Sequence, residues 1–261
     1  MGERAVLYEA ANRIGTITLN RPEERNAMTP ELLDAFSEAI SEAIADREIR
    51  CLVITGKGHC FSAGANLRSS LQRSDLGKPS REASFAMYEP FLRVLDVEVP
   101  VVAAMNGHTV GGGFGLTLLA DIRVANVDAK YGANFARLGI HSGLGISYTL
   151  PRLVGPAHAS ELLFTGKLIL GREALEIGLA THAVEGDQVL PTALGIAEAI
   201  AGSAPAAVQQ MKASIRRGLR WEIREAALEE AGLQAASLDT EDAKEGIAAI
   251  LEKRDPEFTG R

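Results

Sequence analysis

Two glycine-bearing segments hold most of the chemical promise of this chain. His59-Cys60-Phe61-Ser62-Ala63-Gly64-Ala65-Asn66-Leu67 follows the apolar run at 51–55, and Asn106-Gly107-His108-Thr109-Val110-Gly111-Gly112-Gly113-Phe114-Gly115-Leu116 follows the apolar run at 100–105. Small residues placed after a strand and before a helix let the backbone approach a ligand and turn N–H groups toward an anion. The spacing argues against two common ligands. The run at 111–115 lacks the G-x-G-x-x-G pattern, and no G-x-x-x-x-G-K-[ST] occurs, so neither a nicotinamide dinucleotide nor a nucleoside triphosphate is indicated. Close helix–strand packing is the competing explanation for either loop alone. Two such loops, each ending a buried strand, point instead to a ligand.

The elements that must position these loops read as an α/β core. Val6, Tyr8, Ile14, Ile17 and Leu19 alternate around a turn at Ala11-Asn12, which predicts a β-hairpin. Thr29-Pro30-Glu31 supplies an N-cap, a first-turn proline and an acid for a helix whose apolar face carries Leu32, Leu33, Phe36, Ile40 and Ile44. The continuous apolar runs at 51–55, 100–105 and 122–126 predict strands covered on both faces. A helix is expected around 83–96 and another over 113–120, with a polar surface loop at 68–82. Strand–helix–strand alternation implies parallel pairing with right-handed crossovers. Beyond about residue 143 the strand signals vanish. Helices are expected at 156–164, 190–201, 205–217, 221–236 and 240–253, as a C-terminal helical subdomain, and Trp221 reads as core or interface.

Bulk composition narrows the partners. The chain has 261 residues, 46% of them hydrophobic, enough for a large core. A formal net charge of −7 offers no basic face for nucleic acid. An anionic ligand would have to be met by a few local cations and backbone amides. Cys51 and Cys60 are too few for a disulfide framework, lack metal-ligand spacing and suit a reducing cytoplasm. No signal-like N-terminus and no run of about 18 apolar residues is present, so the expectation is a soluble cytoplasmic protein with no membrane partner.

The two loops, taken with further motifs, resemble the crotonase superfamily, the enoyl-CoA hydratase/isomerase family. The motifs are Phe61 to Leu67, Asn106-Gly107 with Gly111-Gly112-Gly113, Asn20-Arg21-Pro22 with Asn26-Ala27-Met28, Ala120-Asp121-Ile122-Arg123, Arg137-Leu138-Gly139-Ile140 and the closing Glu252-Lys253-Arg254 with Phe258 and Gly260. They span nearly the whole chain in order. The resemblance implies a crotonase-like spiral of ββα units over 1–195 and a helical trimerisation subdomain over 196–261. It implies a homotrimer or dimer of trimers, no permanently bound cofactor, and coenzyme A as part of the substrate. The N–H groups of Ala65 and Gly112 would hold the thioester oxygen and stabilise a developing enolate. Ala27, Ala63, Asn66 and Leu67 would cradle the coenzyme, with Arg25, and Lys253 from a neighbouring subunit, for its phosphates.

The same resemblance exposes a departure. The positions where hydratases carry their two glutamates are Gly115 and Phe135 here, and the position of a further carboxylate in related isomerases is Gly143. None can move a proton. His141, in the loop that bears acids in relatives, is the residue whose titration near neutrality suits acid–base work, with a hydrogen-bonded structural role as its alternative. His108 reads as a loop-fixing residue and Asp121 as a structural partner for nearby N–H or arginine groups. Glu89 and Asp75 lie in or beside the variable loop. The expected activity is therefore a CoA-thioester reaction through an enolate, with thioester hydrolysis, ring cleavage, decarboxylation or catalytically silent acyl-CoA binding as the alternatives.

Overall fold

The computed structural model describes residues 3–66 and 80–261. The N-terminal hairpin forms from β1 (Val6–Ala11) and β2 (Ile14–Leu19), paired antiparallel. Its turn falls one residue later than the sequence suggests, on Asn12 and Arg13, both with positive φ (52° and 67°). Two consecutive positive-φ residues suit the right-handed twist of a tight hairpin. Helix α1 (Pro30–Ala45) starts as expected, with Thr29 Oγ1 accepting from Leu32 N at 3.2 Å.

Strands β3 (Cys51–Gly56), β5 (Val101–Met105), β7 (Ile122–Asn126) and β10 (His182–Val184) extend the hairpin into a six-stranded sheet of order β1-β2-β3-β5-β7-β10, parallel from β2 onward. Side chains alternate between its faces. Leu52, Ile54, Val101, Ala103 and Met105 enter the main core with α1, while Cys51, Val53, Val102 and Ala104 pack under α6 (Val189–Ala201). That double burial explains the unbroken apolar runs. Burial also pushes both thiols up, Cys51 to about 12 and Cys60 to about 11, so neither is a ready nucleophile.

A second, four-stranded sheet joins β4 (Cys60–Ser62), β6 (His108–Val110), β8 (Lys130–Gly132) and β9 (Ile169–Leu170). These strands have two or three residues, too short for periodicity to reveal. β9 of this sheet and one strand of the large sheet lie beyond residue 143, which corrects the expectation that strands end there. The second of them, β10 (His182–Val184), adds the last parallel strand to the large sheet beside β7.

The other helices are α2 (Arg81–Leu92), α3 (Gly112–Leu118), α4 (Ile146–Thr165, kinked at Gly155), α5 (Gly171–Glu176), α7 (Pro205–Ile215), α8 (Leu219–Leu238) and α9 (Glu241–Glu252). A boundary at 195/196 would cut α6, whose Val189, Ala193, Ala197 and Ala201 line the sheet. Beyond Gly202 the described elements are α7, α8 and α9. No single described helix is long and apolar enough to cross a membrane; the bent pair Gly186–Ala201 and Pro205–Ile215 that passes by composition includes α6, committed to the sheet. Trp221 is 73% exposed, so it is not core within this chain.

Candidate active site

Both glycine-bearing loops lie on the small sheet, where β4 and β6 run parallel, and each loop leaves the C-terminal end of its strand. The segment 20–28 clamps the first loop. Asn26 is fully buried; its Oδ1 accepts from Arg21 N (2.8 Å) and its Nδ2 donates to the carbonyls of Lys57 (3.1 Å) and Cys60 (2.8 Å). Ser62 Oγ donates to Asn26 O, Ala63 N to Arg25 O and Met28 N to Gly64 O. This web is the physical content of the Asn20-Arg21-Pro22 and Asn26-Ala27-Met28 motifs. Ala27 itself is buried.

The two loops touch at their glycines. Gly64 has φ +76°, and a methyl group there would lie 2.7 Å from Val110 O and 3.1 Å from Gly112 N. Gly111, with φ 59° and ψ −126°, adopts a backbone state essentially reserved for glycine, held by its N–H on Gly132 O (3.0 Å). The consequence is chemical. Met28 and Ala65 form a parallel bridge in which Met28 N is the donor to Gly64 O, so Ala65 N–H is not consumed. Gly112 opens α3, where the first N–H groups have no acceptor within the helix. Among the described residues neither amide has a hydrogen-bond acceptor. Helix α3 spans only Gly112–Leu118, shorter than the expected 113–120 at its end.

The three positions without acids are filled, each in a different way. A Cβ on Gly115 would meet Leu144 Cδ2 at 2.7 Å and Ile146 Cδ1 at 3.1 Å, both side chains fully buried. Phe135 is buried in the 3₁₀ turn Asn134–Leu138, its ring 3.8 Å from where a Cβ on Gly111 would stand. At Gly143 a Cβ would collide with the Tyr88 ring, 2.3 Å from Cε2 and 2.8 Å from the phenol oxygen. Tyr88, Met28, Leu144 and Ile146 were not picked out by the sequence as site residues. Nothing in the local pattern around Tyr88 marks it, because its role depends on where α2 lands.

His141 sits half-buried in the loop between the 3₁₀ turn and α4. Its Nδ1 is 2.8 Å from Ser142 O; a carbonyl only accepts, so Nδ1 is the donor in that contact. Its backbone is tied to α8 through Ser237 Oγ (2.9 Å) and Gln234 Nε2 (3.0 Å). Glu230 on the same helix is buried and accepts from Gly145 N (2.6 Å) and Ser147 N (2.7 Å), capping α4. That carboxylate is committed to structure. Glu230→Ala should strand the buried Gly145 N–H and free the more exposed Ser147 N–H, lowering stability by about 1–3 kcal/mol, read as a fall in the urea midpoint, with Glu230→Gln losing less. An unchanged midpoint would show that α4 does not need this cap.

The remaining sequence candidates separate clearly. His108 Nδ1 accepts from Lys130 N (3.0 Å), a loop-fixing contact, and burial holds its pKa below the ordinary value, helped by His59, Lys130 and Arg25. Asp121 takes Val101 N, Lys212 and Arg216 at 2.7, 3.0 and 2.6 Å, a structural strap between the sheet and α7. Arg25 is exposed, and its charge reaches both His108 and Cys60, so this edge of the loops is locally positive. Ala63 and Asn66 are half-buried at the first loop and Ala65 is exposed. Lys253 is exposed at the C-cap of α9, in a left-handed conformation. Leu67 and Asp75 lie outside the described residues, as does most of the variable loop. Glu89 is half-buried on α2 beside Tyr88.

A fold of this kind, with two bare amides on abutting glycine loops, has known relatives. Residues 9–261 match the sequence model of the enoyl-CoA hydratase/isomerase family. The chain is 34% identical to a crotonyl-CoA hydratase of Syntrophomonas wolfei over the full length of both. It is also 34% identical to a short-chain-enoyl-CoA hydratase of Clostridium acetobutylicum over 95% of each. The crystal structure of an enoyl-CoA hydratase/isomerase from Pseudoalteromonas atlantica superposes with a TM-score of 0.86 at 31% identity, covering 98% of this chain and all of that one. The protein belongs to the enoyl-CoA hydratase/isomerase family of the crotonase superfamily.

Proposed function

We propose that this protein is an enzyme acting on CoA thioesters, with the thioester oxygen held by the N–H groups of Ala65 and Gly112. The observation that carries the reading is that these two amides, on touching loops, have no acceptor among the described residues. Backbone donors fixed in advance stabilise negative charge that develops on the oxygen, at no cost in reorganisation. The reaction class is one that passes through a thioester enolate. Arg25 is suited to the coenzyme's phosphates and Lys253 of a neighbouring copy to the same end of the molecule, in a trimeric assembly.

The absence of carboxylates at Gly115, Phe135 and Gly143 argues against ordinary hydration, which needs one group to position water and another to supply a proton. It favours a second reading within the same chemistry, loss of carbon dioxide from an α-carboxyacyl thioester. There the carbon–carbon bond supplies the electron pair and no protein base is required. His141 is the candidate acid or base. If it serves, His141→Ala should lower turnover by ~10²-fold or more. Turnover unchanged in a folded His141→Ala assigns that residue to loop structure alone.

The test of the functional reading is binding and turnover together. Calorimetry with butyryl-CoA should show saturable binding, and a panel of enoyl-, hydroxyacyl-, oxoacyl- and carboxyacyl-CoA thioesters should include one that is consumed. Binding without any turnover would make the protein an acyl-CoA-binding module. No binding would remove the reading altogether.

A further inference from the structure

Tyr88 brings a polar group into a position that the oxyanion hole does not account for. Its ring packs between Gly112 and Gly143: Cε1 is 3.4 Å from where a Cβ on Gly112 would stand, and Cε2 is 2.3 Å from the equivalent point on Gly143. The residue is 2% exposed. Its oxygen accepts from Gln234 Nε2 at 3.0 Å, and the same amide nitrogen donates to His141 O, so the phenol is held from α8. The phenol's own proton has no acceptor among the described residues. Gln234 cannot take it while its Nε2 faces the phenol, and Gln234 Oε1 is itself buried without a partner. A buried hydroxyl proton left unmet is uncommon and costly, and a bound ligand is one way to meet it.

In the proposed site the thioester oxygen rests at Ala65 and Gly112, and Met28 and Tyr88 are the side chains nearest to where a Cβ on Gly112 would stand. Met28, Leu144, Ile146 and Phe135 around these glycines offer only apolar or thioether surface. We infer that the Tyr88 phenol donates to an oxygen carried by the acyl chain, so that the site selects hydroxyacyl-, oxoacyl- or carboxyacyl-CoA over plain hydrocarbon acyl-CoA. This rests on the reading of the site as a CoA-thioester site. Burial pushes the phenol above its ordinary range, so it is a donor and not a base at neutral pH. A site built around a hydrogen bond discriminates sharply against the analogue that lacks the partner, because its own buried group is then left unmet.

The experiment measures affinities of butyryl-CoA, 3-hydroxybutyryl-CoA, acetoacetyl-CoA and methylmalonyl-CoA for the wild type and for Tyr88→Phe. Phenylalanine keeps the ring and removes only the hydroxyl. At least one oxygenated thioester should bind the wild type about tenfold or more tightly than butyryl-CoA, and Tyr88→Phe should erase that ratio while butyryl-CoA shifts by no more than about twofold. A wild type that holds butyryl-CoA as tightly as all three oxygenated thioesters overturns the inference. So does a preference that survives in Tyr88→Phe. The wild-type comparison decides by itself if the variant misfolds. Failure of all four thioesters to bind the wild type would instead sink the functional reading of the site, a distinct outcome.

Discussion

Hydration of crotonyl-CoA by this protein should be on the order of 10⁴-fold or more slower than by a family member carrying both glutamates. Each general acid or base contributes typically ~10²–10⁴-fold, and coupled groups do not add independently, so the estimate is a lower range. The structure sharpens the expectation. Gly115 faces the packed ends of Leu144 and Ile146, Phe135 is buried, and Gly143 abuts the Tyr88 ring, so no carboxylate can reach from these positions. Glu230, a buried carboxylate on α8, spends both oxygens on Gly145 and Ser147. Steady-state kinetics with crotonyl-CoA settle the matter. Rates comparable with those of ordinary hydratases would mean that another residue has taken the acid role.

Rebuilding the hydratase pair is harder than two substitutions. Gly115→Glu must displace Leu144 from 2.7 Å, and it puts a carboxylate among apolar side chains, where desolvation favours the neutral acid. Gly115→Glu with Phe135→Glu alone is therefore expected to lose stability before it gains hydration. Adding Leu144→Ala makes room for the new side chain at the cost of core packing. Only a folded variant tests the chemistry.

The second large effect concerns Gly112. Deleting its N–H should lower turnover of whichever thioester the protein consumes by roughly 10²–10³-fold. Proline is compatible with the first position of a helix, but a Cβ there would lie 2.3 Å from Met28 Sδ. The comparison is best made in a Met28→Ala background. Gly112→Pro removes the donor, whereas Gly112→Ala adds nearly the same bulk and keeps it. Turnover that collapses in the proline variant and persists in the alanine variant assigns the effect to the hydrogen bond. Equal losses in both would assign it to shape.

Much of this architecture is written locally in the chain. The Thr29 cap, the hairpin and the doubly buried strands follow from residue pattern alone, and so do the paired loops, because glycine at 64 and 111 answers a backbone demand. What escaped has a common cause. β4, β6, β8, β9 and β10 are too short to show alternation, and they exist because partner strands are already in place. Tyr88 and Gln234 sit on α2 and α8, 146 positions apart, and meet only through tertiary packing. That Gly115, Phe135 and Gly143 carry no carboxylate is legible directly. That Tyr88 occupies the space beside Gly143 was not, since nothing in the sequence says which side chain will fill a gap.

If the Ala65 and Gly112 amides grip a thioester oxygen, the carbonyl itself reports on it. Isotope-edited infrared spectra of carbonyl-labelled butyryl-CoA should show the C=O stretch move to lower frequency on binding the wild type. Two hydrogen bonds draw electron density onto the oxygen and weaken the double bond. The shift should shrink in Gly112→Pro, Met28→Ala and persist in Gly112→Ala, Met28→Ala. A stretch that stays at its solution frequency in the wild-type complex would contradict the oxyanion hole.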